Sequence, residues 1–293
     1  MRALLFRGLV ALSGRFSLSA VQRFAQWLAP WVWHVSRRHR YVIEANVRAC
    51  FPELEESEQQ RLARESLAET LKTVFELGPL WRRHGNQVDA VIVDVDGWQE
   101  VQKAAQSGQG VIIAAPHLGN WEVLGLFLSR LPDFSLLYKS PSSPGIEKSL
   151  LHYRGQAGAR QVAATPTGVR QLLKALKSGG VVGILPDQKP KAGQGEFAPF
   201  FGQPAYTMTL LSRLAARTGA PVFASAAIRR PDGRGFDLHF LRCGNDIHGP
   251  VARSVACLNA AMESLVRLAP AQYQWSYKRF SITPPGRRSI YRR

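Results

Sequence analysis

The stretch Val111-Ile112-Ile113-Ala114-Ala115-Pro116-His117-Leu118-Gly119-Asn120-Trp121-Glu122 decides the fold. Five apolar residues in a row, stopped by a proline, read as a strand buried on both faces. Trp121 to Leu128 follows with a helical apolar pattern, and Asn120 is a good N-cap for it. Gly119 suits the sharp turn between the two. Strand, turn and helix N-terminus are the opening of an α/β unit. A histidine on such a turn with a carboxylate close behind it is a candidate general base with its orienting partner. On a continuous helix, positions five apart lie roughly 140° apart, so His117 and Glu122 can meet only if His117 stays on the turn and the helix begins near Asn120. The plainer reading is a buried structural histidine at a strand end.

Outward from this unit the alternation continues. Val88 to Val95 alternates at period two and is expected as a strand, and Trp98 to Ser107 as a helix. Phe134 to Tyr138, Arg160 to Ala164 and Val181 to Leu185 read as strands. Ile146 to Gln156 and Val169 to Leu176 read as helices between them. Tyr206 to Arg217 is expected as a helix, Pro221 to Ile228 and Phe236 to Leu241 as strands, and Val251 to Leu268 as a long helix. The fold class is α/β, a mixed central sheet flanked by helices. On the N-terminal side Tyr41 to Phe51 is a helix ended by Pro52. Ser57, with Gln60, is expected to cap the next one.

A second cluster follows the apolar strand Val181-Val182-Gly183-Ile184-Leu185-Pro186, at Asp187-Gln188. In open α/β sheets, polar residues just beyond the strand ends gather in one crevice. Asp187 is therefore expected either to share a site with His117 or to serve as a turn residue. The next stretch, Lys189 to Glu196, is a polar, Gly-rich loop without the strand–Gly–helix context of a phosphate loop.

The 293 residues carry a net charge of +17, which implies a polyanionic neighbour: nucleic acid, an anionic membrane surface or a phosphorylated substrate. Cys50, Cys243 and Cys257 form no CxxC pair, so no disulfide framework or zinc site is implied. Residues 1–43 contain no Asp or Glu but hold Arg2, Arg7, Arg15, Arg23, Arg37, Arg38 and Arg40, interleaved with leucines, phenylalanines and Trp27, Trp31 and Trp33. The arginines break every apolar run short of the roughly 20 residues of a plain membrane span. They also recur too often for a secretory signal. The reading is a membrane-associating helical segment over 1–35, followed by a single domain over 36–293. The arginines after the Trp cluster favour the cytoplasmic face. The alternatives are an ordinary amphipathic helix packed on the domain and a single tilted or re-entrant span. Near the C-terminus, Tyr273-Gln274-Trp275-Ser276-Tyr277-Lys278-Arg279-Phe280 mixes aromatics and cations, a pattern that suits single-stranded nucleic acid or a lipid headgroup boundary.

Taken together, these pieces resemble the late acyltransferases of lipid A biosynthesis, the lauroyl/myristoyl acyltransferase family of Gram-negative bacteria. The resemblance covers nearly the whole chain. It rests on the basic, Trp-containing N-terminus, Asn46 through Phe51-Pro52-Glu53, Pro116 through Glu122, Arg154 through Gly158, Ile184 through Gln188, Phe200-Phe201-Gly202, and Tyr273-Gln274-Trp275 through Lys278-Arg279-Phe280. Tyr277 departs from a positively charged residue common in the family at that place.

The resemblance implies a glycerolipid-acyltransferase-like fold and an O-acyltransferase of lipopolysaccharide biosynthesis. Such an enzyme takes a fatty acyl group from acyl carrier protein and gives it to a hydroxyl of a lipid A precursor. It would work at the cytoplasmic face of the cell inner membrane, with no metal, no separate cofactor and no nucleic-acid partner. By that analogy His117 is the base and Glu122 its orienting partner, with Arg154 and Asp187 as supporting residues. Arg154, with a backbone N–H near Gly119 or Asn120, is the candidate for the oxyanion, the alternative for Arg154 being an ion pair or a phosphate clamp. Phe197, Phe200 and Phe201 are candidates for an acyl-pocket wall, although as bare residues they read equally as core. The acidic carrier, the phosphorylated acceptor and an anionic membrane surface would each account for the charge. A phospholipid or aminolipid acceptor, or a non-catalytic basic protein, are the other readings.

Overall fold

The computed structural model describes residues 2–81, 85–141, 143–155 and 158–292. Four helices come first: α1 (Arg2–Ser13), α2 (Leu18–Val35), α3 (Arg37–Cys50) and α4 (Glu56–Trp81). Then strands and helices alternate: β1 (Ile92–Asp96), α5 (Trp98–Gln106), β2 (Val111–Ala114), α6 (Trp121–Leu128), β3 (Ser135–Tyr138), α7 (Pro144–Gly155), β4 (Arg160–Ala163), α8 (Pro166–Lys177) and β5 (Val181–Ile184). The chain closes with β6 (Gly195–Phe200), β7 (Gln203–Met208), α9 (Leu210–Thr218), β8 (Val222–Arg229), β9 (Phe236–Arg242) and α10 (Val251–Leu268).

Seven strands form one sheet in the order β1-β9-β8-β2-β5-β3-β4. All neighbours are parallel except β8 and β9, so the sheet is mixed. The unbroken apolar run of β2 has a direct cause. Ile112 and Ala114 belong to one core and Val111, Ile113 and Ala115 to the other, so both faces are covered. Side chains of α8, α9 and α10 fill the first core, and those of α5 and α6 the second. β6 and β7 make a separate antiparallel hairpin.

Three expectations shift. The strand expected at Val88 begins only at Ile92, because Gly85–Val91 forms a 3₁₀ turn. Val88 and Val91 are both buried, and their i, i+3 spacing is the period of that turn. The helix expected from Tyr206 begins at Leu210. Tyr206 pairs with Phe197 in the hairpin, and buried Ala205 and Thr207 alternate with half-exposed Tyr206 and Met208 at the strand period. In the third case, α4 begins before Ser57, and it is the Glu58 carboxylate that accepts the Glu55 N–H at 3.3 Å, the reach-back half of a capping box. The predicted helix over Ile146 to Gln156 is α7, and its last expected residue, Gln156, lies outside the described residues, as does Arg293 at the terminus.

At the N-terminus, α2 is capped by Ser17, which accepts the Ala20 N–H at 3.2 Å. It turns Leu18, Val21, Ala25, Ala29 and Trp33 inward and is bound to α4 by Gln22 Nε2, which donates to Glu76 Oε1 at 2.6 Å. Its other face carries Phe24, Trp27, Trp31 and Val35, with Trp27 74% exposed and Trp31 65% exposed. From α1, Leu4, Leu5 and Leu12 are exposed as well. Among the described residues no helix is long and apolar enough to cross a membrane.

Candidate active site

β2 and β5 are parallel neighbours in the register Val111↔Val181 to Ala114↔Ile184. Each strand is followed two residues later by a proline, Pro116 or Pro186, and then by a polar residue, His117 or Asp187. Equal extension past paired strand ends brings two residues 70 positions apart side by side. The His117 Nδ1 lies 2.7 Å from Asp187 Oδ1, and the His117 backbone N–H donates to Asp187 Oδ2 at 2.8 Å. One carboxylate thus holds both the ring and the backbone of the histidine. Burial pushes the Asp187 carboxyl up, but the imidazole's charge and the two hydrogen bonds outweigh it and hold the group below the usual carboxylate range. An ionised carboxylate only accepts, so in the neutral ring Nδ1 carries the proton and Nε2 presents its lone pair. Gln188 Nε2 stands 3.2 Å from that nitrogen and also donates to Gln274 Oε1 at 3.4 Å. The His117 side chain is 15% exposed, so the ring is open at an edge rather than sealed in the core.

Glu122 does not take the place expected of it. Asn120 caps α6, its Oδ1 accepting the N–H groups of Glu122 at 3.0 Å and Val123 at 3.3 Å. The helix therefore starts at Trp121, whose ring stands edge-on to the imidazole at 4.8 Å. Glu122, one residue further round, points into the seam between α4, α6 and α7. There Arg154 grips it with two hydrogen bonds, Nε to Oε2 at 3.0 Å and Nη2 to Oε1, and Trp81 Nε1 donates to Oε2 at 3.2 Å. Tyr153 stacks on Trp81 at 4.8 Å and closes the seam. Burial raises the Glu122 carboxyl, Arg154 more than offsets it, and the group lies below its ordinary value. The carboxylate that orients His117 in this structure is Asp187, and Arg154 is engaged as the ion-pair partner of Glu122.

The expected backbone donors are also spoken for. Gly119 N–H donates to Gln272 O at 3.1 Å and Asn120 N–H to Ala227 O at 2.9 Å. Gly119 has φ +60°, and a Cβ there would sit 2.0 Å from the Ala227 carbonyl oxygen, so only glycine fits against β8. Below the turn lies a buried polar network that sequence reading did not find. Asn120 Nδ2 donates to Glu76 Oε2 at 2.7 Å, and Arg229 donates to both Glu76 oxygens and to Glu69. Thr73 Oγ1 donates to Gly119 O at 3.1 Å. The available signal was Glu69, Thr73 and Glu76, polar residues at helical spacing in α4, together with an arginine ending an otherwise apolar strand. Gln188 carries no signal in the sequence beyond its place next to Asp187.

The phenylalanines divide. Phe200 and Phe201 are buried in the core among Phe51, Tyr273, Trp275 and Phe280. Phe197 is half-buried and packs on Tyr206 across the hairpin at 5.0 Å.

Residues 3–281 match the family model of the bacterial lipid A biosynthesis acyltransferase. The chain belongs to that family. Among its relatives, the lipid A biosynthesis palmitoleoyltransferase of Escherichia coli (strain K12) is 24% identical over 259 residues, covering 87% of this chain and 83% of that protein. The lipid A biosynthesis lauroyltransferase of the same organism is 24% identical over 258 residues, with the same coverage. A phosphatidylinositol mannoside acyltransferase of Mycobacterium tuberculosis (strain CDC 1551 / Oshkosh) is 26% identical over 181 residues, covering 60% of this chain and 56% of that protein. For this lipid A acyltransferase family member, the geometry supplies an imidazole locked in one tautomer whose Nε2 carries the lone pair beside the Gln188 amide, which is the equipment for taking a proton from an attacking hydroxyl once that amide gives way.

Proposed function

We propose that this protein transfers a fatty acyl group from the thioester of acyl carrier protein to a hydroxyl of a lipid A precursor, the secondary acylation of lipopolysaccharide biosynthesis. The observation that carries the reading is the double grip of Asp187 on His117. His117 Nε2 takes the proton as the acceptor oxygen attacks the thioester carbonyl. Asp187 balances the imidazolium through Nδ1–H. The tetrahedral intermediate collapses, the C–S bond breaks, and the imidazolium proton passes to the departing thiolate. The Gln188 amide, beside Nε2, is a donor suited to the oxyanion, where removing such a donor costs about 3–4 kcal/mol. Glu122 and Arg154 act as a brace that holds α6, and with it the turn carrying His117.

The N-terminal helices would seat the enzyme on the cytoplasmic face of the inner membrane. Their exposed row of Phe24, Trp27, Trp31 and Val35, with arginines near both ends of the segment, supports interfacial docking rather than a span. The net charge of +17 favours an acidic carrier protein and an anionic surface.

The test is acyl transfer by purified protein from acyl carrier protein thioester to a lipid A precursor, followed by mass spectrometry. A product heavier by one acyl group is expected, with His117→Ala losing at least roughly a thousandfold in kcat/KM. A wild-type protein inert toward that acceptor, or a His117→Ala variant as active as wild type, would overturn the reading. A second acceptor class deserves a parallel assay because of the similarity to the mycobacterial phosphatidylinositol mannoside acyltransferase. Faster transfer to a glycosylated phospholipid would favour that alternative.

A further inference from the structure

Beyond the sheet, the last segment of the chain walls a cavity of about 620 Å³. Lys278, Arg287, Arg288 and Arg292 line it, together with Ser281 and Ser289. Among the described residues no carboxylate lines it, and none of the four cations is ion-paired with an acid. The partners they do have are neutral: Arg287 Nη2 donates to Gln203 Oε1 at 3.2 Å, and the Lys278 ammonium lies 5.4 Å from the Tyr291 ring. The buried or half-buried Arg154, Arg229 and Arg230 are neutralised by Glu122, by Glu76 and Glu69, and by Asp237, whereas Arg287, Arg288 and Arg292 are exposed at the cavity. Four like charges around one concavity repel each other, and an anion in the cavity turns that repulsion into attraction.

The chemistry points to phosphate. Guanidinium forks match tetrahedral oxyanions in bidentate fashion, and serine hydroxyls supply further donors. A cavity of 620 Å³ falls within the roughly 300–1,000 Å³ typical of small-ligand sites. It is a concavity for a headgroup rather than a flat face for a protein helix. Its wall is joined to the segment that carries Asp187 and Gln188. Lys189 directly follows Gln188; its backbone N–H donates to Tyr277 Oη at 3.1 Å and its Nζ to Ser281 Oγ at 2.9 Å.

We propose that this cavity binds a phosphate group of the acceptor glycolipid, so that the enzyme reads the acceptor's phosphorylation while the acceptor hydroxyl reaches His117. The choice of acceptor rests on the function proposed above. The binding of a sugar phosphate does not.

The experiment therefore has two arms, both comparing the full-length protein with Arg287→Ala/Arg288→Ala, a change at two exposed side chains. In the first, glucose 1-phosphate is titrated by ³¹P line broadening. Saturable binding by wild type, weakened at least tenfold in the double variant, is expected, in line with the loss of charge-assisted hydrogen bonds. In the second, kcat/KM is measured with the phosphorylated acceptor and with the same acceptor after phosphatase treatment. The wild-type preference for the phosphorylated form should fall at least tenfold in the variant. Absence of saturable sugar-phosphate binding, or equal binding by the variant, overturns the proposal. So does a variant that keeps its acceptor discrimination while its KM for acyl carrier protein rises, since the cavity would then receive the carrier. Variant-sensitive sugar-phosphate binding without turnover of either acceptor would leave the cavity standing and defeat the lipid A reading.

Discussion

Two buried carboxylates lie on either side of the same turn, and they do different things. Asp187 sits past the end of β5, is 2% exposed, and faces an imidazole that reaches the surface. Glu122 sits in the first turn of α6, is 6% exposed, and faces a guanidinium and an indole in a seam between helices. Both are held below the usual carboxylate range, Asp187 by its interactions with His117 and Glu122 by Arg154. The partner's chemistry separates them. An imidazole can give and take a proton near neutral pH, whereas a guanidinium stays charged. The first pair can therefore run an acid–base cycle and the second can only hold position. A carboxylate near a histidine in sequence is not thereby its partner; sheet order decides which side chains meet.

The sharpest way to break this comparison is to neutralise each carboxylate in turn. Asp187→Asn should lower kcat roughly 10²- to 10⁴-fold, because the amide no longer selects the tautomer that leaves Nε2 bare. Its melting transition should stay cooperative. Glu122→Gln should lower kcat far less. If Glu122→Gln lost as much turnover as Asp187→Asn at equal stability, the assignment of roles would be reversed.

Stability should answer the other way round. Glu122→Ala leaves Arg154 half-buried without its counter-charge and should cost about 3 kcal/mol in urea unfolding. An unchanged unfolding midpoint would show that the seam is no brace.

A smaller effect concerns acid. Asp187, Glu122 and Glu76 all titrate below their ordinary values in the fold. The unfolded chain therefore binds protons first as pH falls, and their contribution is complete above the ordinary carboxylate range near pH 4 and lost as pH drops through the folded values. Wild-type stability should thus be steady at neutral pH and decline steeply below about pH 4, with Glu122→Gln giving a shallower acid limb. Equal limbs would mean that the Glu122 pair contributes nothing to the acid response.

The mildest change lies far from either carboxylate. Trp27→Ser/Trp31→Ser, on the outer face of α2, should weaken binding to anionic vesicles roughly tenfold without changing the fold. Unaltered sedimentation with vesicles would remove that face from the membrane argument.

Much of the site was legible because it follows from strand ends. The repeated pattern of an apolar run, a proline and a polar residue at Pro116-His117 and Pro186-Asp187 pointed to one crevice, and the β2–β5 register delivers it. Asn120 as the cap of α6 was legible from local rules alone. What could not be read was direction. Glu122 turns away because helix geometry, starting from that cap, aims its second residue toward α4 and α7, whose positions depend on the whole chain. The Glu76–Arg229 network was hidden for a similar reason: its members are 153 residues apart and meet only through packing. At Tyr206 a hairpin overrode a helical pattern, since pairing with β6 satisfies the backbone of the intervening residues.

The placing of β5 between β2 and β3 has a kinetic consequence. The chain leaves β2, lays down β3 and β4 further out, and only then returns to fill the gap beside β2. The His117–Asp187 pair cannot form in any contiguous fragment that stops short of residue 187, however well its helices form. During refolding, helical circular dichroism should recover first, with turnover regained in the slower phase that seats β5 between β2 and β3.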